Sequence, residues 1–409
     1  APGTARQAEI DGGIHLLGSP EHRALLHVFR CSEAQRHLAR DLFDGDLPPV
    51  RRALVAGAGQ MGAAIALGCA QAGLQVRLRD PSADALLNAG RMAAKTAKKL
   101  SKKRRLSRSE AQALTDRFVL DPAMHGERAA DLFLEAAPEK LEIKRSIFRA
   151  AVDAGLPNHA LILTNTSTLP VTEMARELPN PDRVAGMHFF HPVAKMPLVE
   201  IVRAAQTSDE TLARVAALAV AMGKTPVIVA DRPGFLVNRL LAPYMGAAGQ
   251  LLDDGVPLMA IDGAAQIFGM PMGPLRLADE VGLDVALSAA RVLHEAFGDR
   301  MRPHDAVAQM VEEGRLGAKS GRGFYDHSGK KPIPAWDRPS ANGAAPPASE
   351  IIDVLFEPMF NEARLCLEEG VVASADELDI ASVFGTGFPP FRRGGLGACA
   401  LSSESPSHV

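Results

Sequence analysis

"RRALVAGAGQMGAAIALGCAQAGLQVRLRD", residues 51–80, sets the architecture. A short apolar run leads into a glycine turn, then a stretch of small residues with helical character, then a second strand ending at Asp80. Strand, helix and strand within about 30 residues make a βαβ unit, which joins parallel strands. Outward from it, strands are predicted at "DLFLEAA", "LILTNTS", "RVAGMHFF", "PLVEIVR" and "TPVIVAD". A Rossmann-type, doubly wound α/β domain is therefore expected over residues 50–232.

Beyond "DRPGF" the pattern turns to long helical stretches, predicting an all-α domain. "FLVNRLLAPYMGAAGQLLDDG" and "IIDVLFEPMFNEARLCLEEG" resemble one another: Pro243 and Pro358 stand 115 apart, as do Gly255 and Gly370. Each is followed by a Gly/Pro knot, which indicates an internal duplication. The halves are expected at 233–330 and 350–409, separated by a Pro/Gly/Ala-rich linker at 331–349. Residues 1–49 are polar and rich in Arg and His, with a helix predicted near 19–43. There Ser19 is the cap, Pro20 opens the first turn, and Leu25, Leu26, Val28 and Phe29 form the apolar stripe.

Composition limits the classes of function. At 409 residues, with 47% hydrophobic and 23% charged, the chain reads as a globular protein of two or three domains. A formal net charge of −3 argues against a nucleic-acid binder, and no run reaches the ~18 apolar residues of a membrane span. Cys31, Cys69, Cys366 and Cys399 are scattered without a C-x-x-C pair, pointing to a reducing, cytoplasmic setting and to no metal cluster. The chain begins at Ala1, which reads as a fragment or a processed product.

"GAGQMG" supplies Gly57, Gly59 and Gly62 around Gln60 and Met61, after a strand and before a helix. The glycines allow a tight turn and close backbone approach to a pyrophosphate, which the helix N-terminus then holds. Asp80 lies 18 residues past Gly62, placed to bind ribose hydroxyls and to repel a 2′-phosphate. The cofactor expected is therefore NAD rather than NADP. A basic run, "KTAKKLSKKRRLSR" (95–108), reads either as a solvated face or as a landing site for a phosphate-bearing tail. In "LTNTSTLPVTEMA" (163–175), Asn165 and Ser167 sit at a strand's carboxyl end, where ligands bind, while Thr168 and Thr172 read equally well as helix caps.

"HFFHPVAKMPLVE" (188–200) holds two histidines and a glutamate. They could form a metal site, or both histidines could be structural. Pro192 holds His191 extended, and residues three apart in an extended run point to opposite faces. One histidine can thus face Glu200, but not both. A histidine with a carboxylate on one ring nitrogen keeps a fixed tautomer and suits general-base work.

Taken together, "GAGQMG", "LEAAPEKLEIK", "TNTSTLP", "GMHFFHPVAKMPLVEIV", "DRPGFLVNRLLAPY", "GMPMGP" and "GAKSGRGFY" resemble the L-3-hydroxyacyl-CoA dehydrogenase family, in that family's order across roughly residues 50–330. The second helical half resembles the C-terminal part of multifunctional fatty-acid-oxidation enzymes. The resemblance implies NAD-dependent oxidation of a (3S)-3-hydroxyacyl-CoA in β-oxidation. It makes His188 the base, Glu200 its partner, and Ser167 and Asn238 the contacts of the reacting oxygen. It places Glu139, Lys144 and Lys319, with the glycine turn and Asp80, at the cofactor, and Lys102 or Lys103 at the coenzyme A phosphates. It also implies a homodimer or association with other β-oxidation subunits. This sequence departs from the pattern in three ways. No crotonase domain is present, His191 stands where the family carries Asn or Ser, and the tail "FRRGGLGACALSSESPSHV" is polar where the family continues as helix. Two other readings stand beside it: a β-hydroxyacid dehydrogenase of free acids, and a truncated, weakly active or non-catalytic subunit with an assembly role.

Overall fold

The computed structural model describes residues 2–122, 125–336, 345–392, 394–400 and 406. The chain divides into two compact units, one of Ser32–Arg232 and one of Ala1–Cys31 with Pro233–Val409.

The Ser32–Arg232 unit is built on an eight-stranded sheet: β1 Arg52–Ala56, β2 Gln75–Arg79, β3 Phe118–Leu120, β4 Leu132–Glu135, β5 Leu161–Thr164, β6 Val184–Phe189, β7 Leu198–Arg203 and β8 Thr225–Ala230. Their order across the sheet is β3-β2-β1-β4-β5-β6-β7-β8. Every pairing is parallel except β6 with β7. The doubly wound α/β fold expected from residues 51–80 is thus present, and the strand order reverses at β1 and β4. In such sheets the crevice beyond the strands' carboxyl ends at that reversal is the ligand site. β4 and β5 are buried along their whole length, which explains their unbroken apolar runs. β3 was not anticipated; three residues are too few to show an alternation.

Helix Gln60–Gln71 follows β1, and its small buried residues Ala63, Ala66 and Ala70 let it lie close to the sheet. Met222 packs over Gly68, where a Cβ would be 3.0 Å from its terminal carbon.

The second unit is helical and carries the expected duplication. Val237–Asp253 packs against Ala348–Glu368, and each contains its proline, Pro243 and Pro358. Phe268 and Phe356 stack with centroids 3.8 Å apart, and Phe388 packs edge-on against both. Each half also buries an aspartate that accepts backbone N–H groups from the helix after its Gly/Pro knot. Asp262 accepts from Leu275 at 3.0 Å and Arg276 at 3.1 Å, and Asp379 accepts from Gly397 at 2.5 Å. Such a carboxylate satisfies the free N–H groups of a helix start.

Two expectations are corrected here. The polar tail still contains helix, because Leu396–Ala400 forms a short one with Leu396 and Cys399 buried. Ser19 does cap the helix Pro20–Gln35, accepting from the His22 N–H at 3.1 Å, but the buried face is Ala24, Val28 and Cys31. Leu25 and Phe29 of the expected stripe are exposed. A further helix, Pro2–Gly18, precedes it. Part of the expected linker, residues 337–344, lies outside the described residues.

Candidate active site

The glycine turn after β1 has no room for side chains at two of its three glycines. Gly57 has φ +109°, and a Cβ there would stand 2.4 Å from the Ala136 carbonyl oxygen. One on Gly62 would stand 1.9 Å from the Gly57 carbonyl oxygen, whereas Gly59 faces open space. No side chain caps the helix that begins at Gln60, so its first N–H groups and its dipole suit an anion. Gln60 is exposed and Met61 half-buried beside it.

Asp80, just past β2, accepts from the Ala58 N–H at 2.7 Å and the Ser82 N–H at 2.8 Å. Its charge therefore braces the glycine turn. The two arginines of β2 are engaged elsewhere. Buried Arg79 pairs with Glu127 and stacks over Phe133 at 4.9 Å, and Arg77 lies 3.6 Å from Asp121. These residues fit a dinucleotide without a 2′-phosphate.

At the end of β4, Glu135 is fully buried and binds the equally buried Lys144 ammonium at 2.8 and 3.0 Å. Thr164 of β5 donates to the same carboxylate at 2.6 Å. Lys144 also reaches Glu139 at 3.2 Å. Glu139 in turn accepts from the Thr166 hydroxyl at 2.5 Å, the Ser167 N–H at 2.9 Å and the Thr168 N–H at 3.2 Å. Burial alone would raise the Glu139 carboxyl, but the Lys144 charge and these donors outweigh it and hold it below its ordinary range. The network fixes the loop that carries Ser167.

β6 and β7 pair with His188 directly opposite Glu200. The antiparallel register brings His188 Nδ1 to 2.6 Å from Glu200 Oε2, with both residues buried. A carboxylate on Nδ1 keeps the proton there and leaves Nε2 as the basic nitrogen. The ring packs on Phe190 with centroids 4.6 Å apart. Asn165 accepts from the Phe189 N–H at 2.9 Å, tying the ends of β5 and β6 together beside the histidine. His191 is exposed and does not share Glu200; its Nε2 lies 3.1 Å from the Gln60 amide nitrogen.

Neither threonine offered as a cap serves as one. Thr168 binds Glu139, and Val171–Ala175 is capped by Asp231, which accepts from the Val171 and Thr172 N–H groups at 3.0 and 2.7 Å. Lys102 and Lys103 are exposed at the C-terminal end of Ala83–Lys102, and among the described residues neither joins an ion pair. Asn238 and Lys319 belong to the helical unit. Asn238 lies on the first turn of Val237–Asp253, and Lys319 pairs with Asp284. Sequence reasoning passed over Glu135 and Thr164. The signal available was a glutamate closing the otherwise apolar run "LFLE", nine residues before a lysine.

The family model for the 3-hydroxyacyl-CoA dehydrogenase NAD binding domain matches residues 52–232, and that for the 3-hydroxyacyl-CoA dehydrogenase C-terminal domain matches residues 234–327. The fatty acid oxidation complex subunit alpha of Vibrio parahaemolyticus is 36% identical over 384 residues, 93% of this chain and 54% of that protein. The chain belongs to the 3-hydroxyacyl-CoA dehydrogenase family. The matched N-terminal model is named for binding NAD, and the glycine turn and Asp80 fit that cofactor. The chain spans about half the length of the curated relatives it matches. Among solved structures, 3-hydroxybutyryl-CoA dehydrogenase of Escherichia coli is 28% identical, with a TM-score of 0.74, over 83% of this chain and 90% of that one. The (S)-3-hydroxybutyryl-CoA dehydrogenase of Ralstonia eutropha is 37% identical, with a TM-score of 0.65, over 68% of this chain and all of that one. The family's two-part layout, a nucleotide-binding sheet followed by helices, is the one seen here.

Proposed function

We propose that this chain oxidises a (3S)-3-hydroxyacyl-CoA to the 3-oxoacyl-CoA, as a step of fatty-acid β-oxidation, with His188 as the base. The reading rests on one observation above all, the buried His188–Glu200 pair at 2.6 Å at the end of β6. His188 Nε2 takes the proton of the 3-hydroxyl, and Glu200 stabilises the imidazolium that forms. Bound NAD supplies the acceptor for the hydride that leaves C3. Ser167, held by the Glu139 network, orients the 3-oxygen. Glu135, Lys144 and Glu139 hold the loop at the carboxyl ends of β4 and β5 in place.

The experiment is direct: purified protein is offered NAD with 3-hydroxybutyryl-CoA, with free 3-hydroxybutyrate, and with no substrate. NADH formation from the thioester alone supports the reading. Turnover of the free acid would replace it with a β-hydroxyacid dehydrogenase, and no turnover at all would leave an assembly role. Association with other β-oxidation subunits, or a homodimer, is part of the proposal, supported by relatives that are subunits of a fatty acid oxidation complex. So is a cytoplasmic location, supported by four cysteines that are all buried free thiols. Among the described residues, no helix is long and apolar enough to cross a membrane.

Two expected results arise here. Asp80→Asn removes a charge from the ribose position while keeping an acceptor for the Ala58 N–H. A hydrogen bond to a charged group contributes about 1.5–3 kcal/mol, so the preference for NAD over NADP should fall by about 10- to 100-fold in kcat/KM. A parent enzyme using both cofactors equally would remove this role for Asp80. Neutralising Lys102 and Lys103 together should raise KM for acyl-CoA by about 2- to 30-fold, the scale of two exposed charge pairs, and leave KM for NAD alone. Added salt should mimic the double variant. The rival account is that cations here simply complement the helix C-terminus. An unchanged KM, with lowered thermal stability, would favour it.

A further inference from the structure

Away from the dehydrogenase site, the helical unit gathers four metal-ligating side chains from two helices far apart in sequence. His27 and Cys31, four residues apart, share one face of Pro20–Gln35. Asp376 and Asp379, three apart, project from Ala375–Ala381. His27 Nε2 lies 2.8 Å from Asp379 Oδ2, 3.8 Å from Asp376 Oδ1 and 3.6 Å from Cys31 Sγ. One donor atom from each of His27, Cys31 and Asp376 falls within a common span of 4.8 Å. Backbone closes over the cluster. A Cβ on Gly394 would stand 2.5 Å from the His27 ring, and one on Gly395 would stand 2.5 Å from Asp379 Oδ1.

We propose that His27, Cys31 and Asp376, with Asp379 against the imidazole, form a binding site for a thiophilic divalent cation of the zinc class, which fastens the helix Pro20–Gln35 to the second helical half. Zinc binds sulfur at about 2.3 Å and nitrogen or oxygen at about 2.0–2.1 Å, so a tetrahedral site has S···N edges of about 3.6 Å and N···O edges of about 3.4 Å. The sulfur–nitrogen edge already has that length, and the two nitrogen–oxygen edges straddle theirs. A mixed sulfur, nitrogen and oxygen set excludes the hard cations, which take oxygen alone. Burial, with both aspartates adding to it, pushes the Cys31 thiol up to about 12. A cation opposes that: as the sulfur–metal bond forms, the thiol gives its proton to solvent. The site is independent of the dehydrogenase reading and leaves it intact.

Cobalt(II) is the probe, because a thiolate ligand gives it a near-ultraviolet charge-transfer band and a tetrahedral field gives intense visible bands. The full chain, stripped by chelator, is titrated with Co2+ and then with Zn2+. The expected result is one equivalent bound with both sets of bands, then displacement by zinc. Cys31→Ser should remove the charge-transfer band. Asp376→Asn, at a position whose side chain is 66% exposed and so not needed for folding, should weaken cobalt binding at least tenfold. NADH binding should be unchanged in both variants. Absence of saturable cobalt binding in the parent, or a charge-transfer band that persists in Cys31→Ser, overturns the proposal and leaves His27–Asp379 as a plain hydrogen bond.

Discussion

His188→Asn should lower kcat by about 10²–10⁴-fold, the usual contribution of a positioned general base, with NADH affinity nearly unchanged. Asparagine is smaller than histidine but can still donate toward Glu200, so the β6–β7 register, which places residue 188 opposite 200, is kept. What disappears is the basic nitrogen. Glu200→Gln should also slow turnover, because the amide keeps the shape but not the charge that favours imidazolium. His191→Asn is the control: His191 is exposed beside Gln60, not Glu200, and its variant should stay within about threefold of the parent, under roughly 1 kcal/mol. NADH affinity measured by fluorescence checks that each variant is folded. If His191→Asn were as damaging as His188→Asn, the division of roles between the two histidines would be wrong.

The second large effect concerns stability. Lys144→Met leaves the Glu135 carboxylate, 0% exposed, without its cation, retaining only donors such as Thr164 and the Ala137 N–H. Removing one partner of a buried pair costs about 3–5 kcal/mol, because the remaining charge is stranded away from water. The loss should appear in the urea transition that added NAD shifts, since a ligand stabilises the unit that binds it. Adding Glu135→Gln should restore much of the loss, because no uncompensated charge then remains. The double variant separates a structural lysine from one that acts only on the cofactor. A single variant within about 1 kcal/mol of the parent would mean that the Glu135–Lys144 pair contributes little.

The elements legible in the sequence were those whose signal is local. The βαβ unit announces itself because strand, glycine turn and helix adjoin within residues 51–80, and the other strands are buried apolar runs long enough to notice. The His188–Glu200 pairing was legible because two strands joined by a short turn leave few registers. The duplicated helical halves showed through matched proline and glycine spacing. β3 escaped because it is three residues long. Glu135 escaped because an apolar strand ending in a carboxylate gives no hint that a lysine will enter the core to meet it. The buried face of Pro20–Gln35 was misjudged because Leu25 and Phe29 are more apolar than Ala24 and Cys31, yet the face that packs is the one carrying small residues. Contacts such as His27 with Asp379, 352 residues apart, leave no trace in any window of sequence.

That separation governs how the chain can be made. The helical unit combines Ala1–Cys31 with Pro233–Val409, so the whole sheet unit is synthesised between its two parts. At about 5–20 residues per second, a ribosome needs roughly 20–70 s after His27 emerges before Asp379 follows it. Through that interval Ala24, Val28 and Cys31 lack the surface they finally cover, while the Ser32–Arg232 unit, contiguous in sequence, can already fold. The nucleotide-binding half is therefore made first and closed early. The helical half stays open at Pro20–Gln35 until the Asp379 helix has been made.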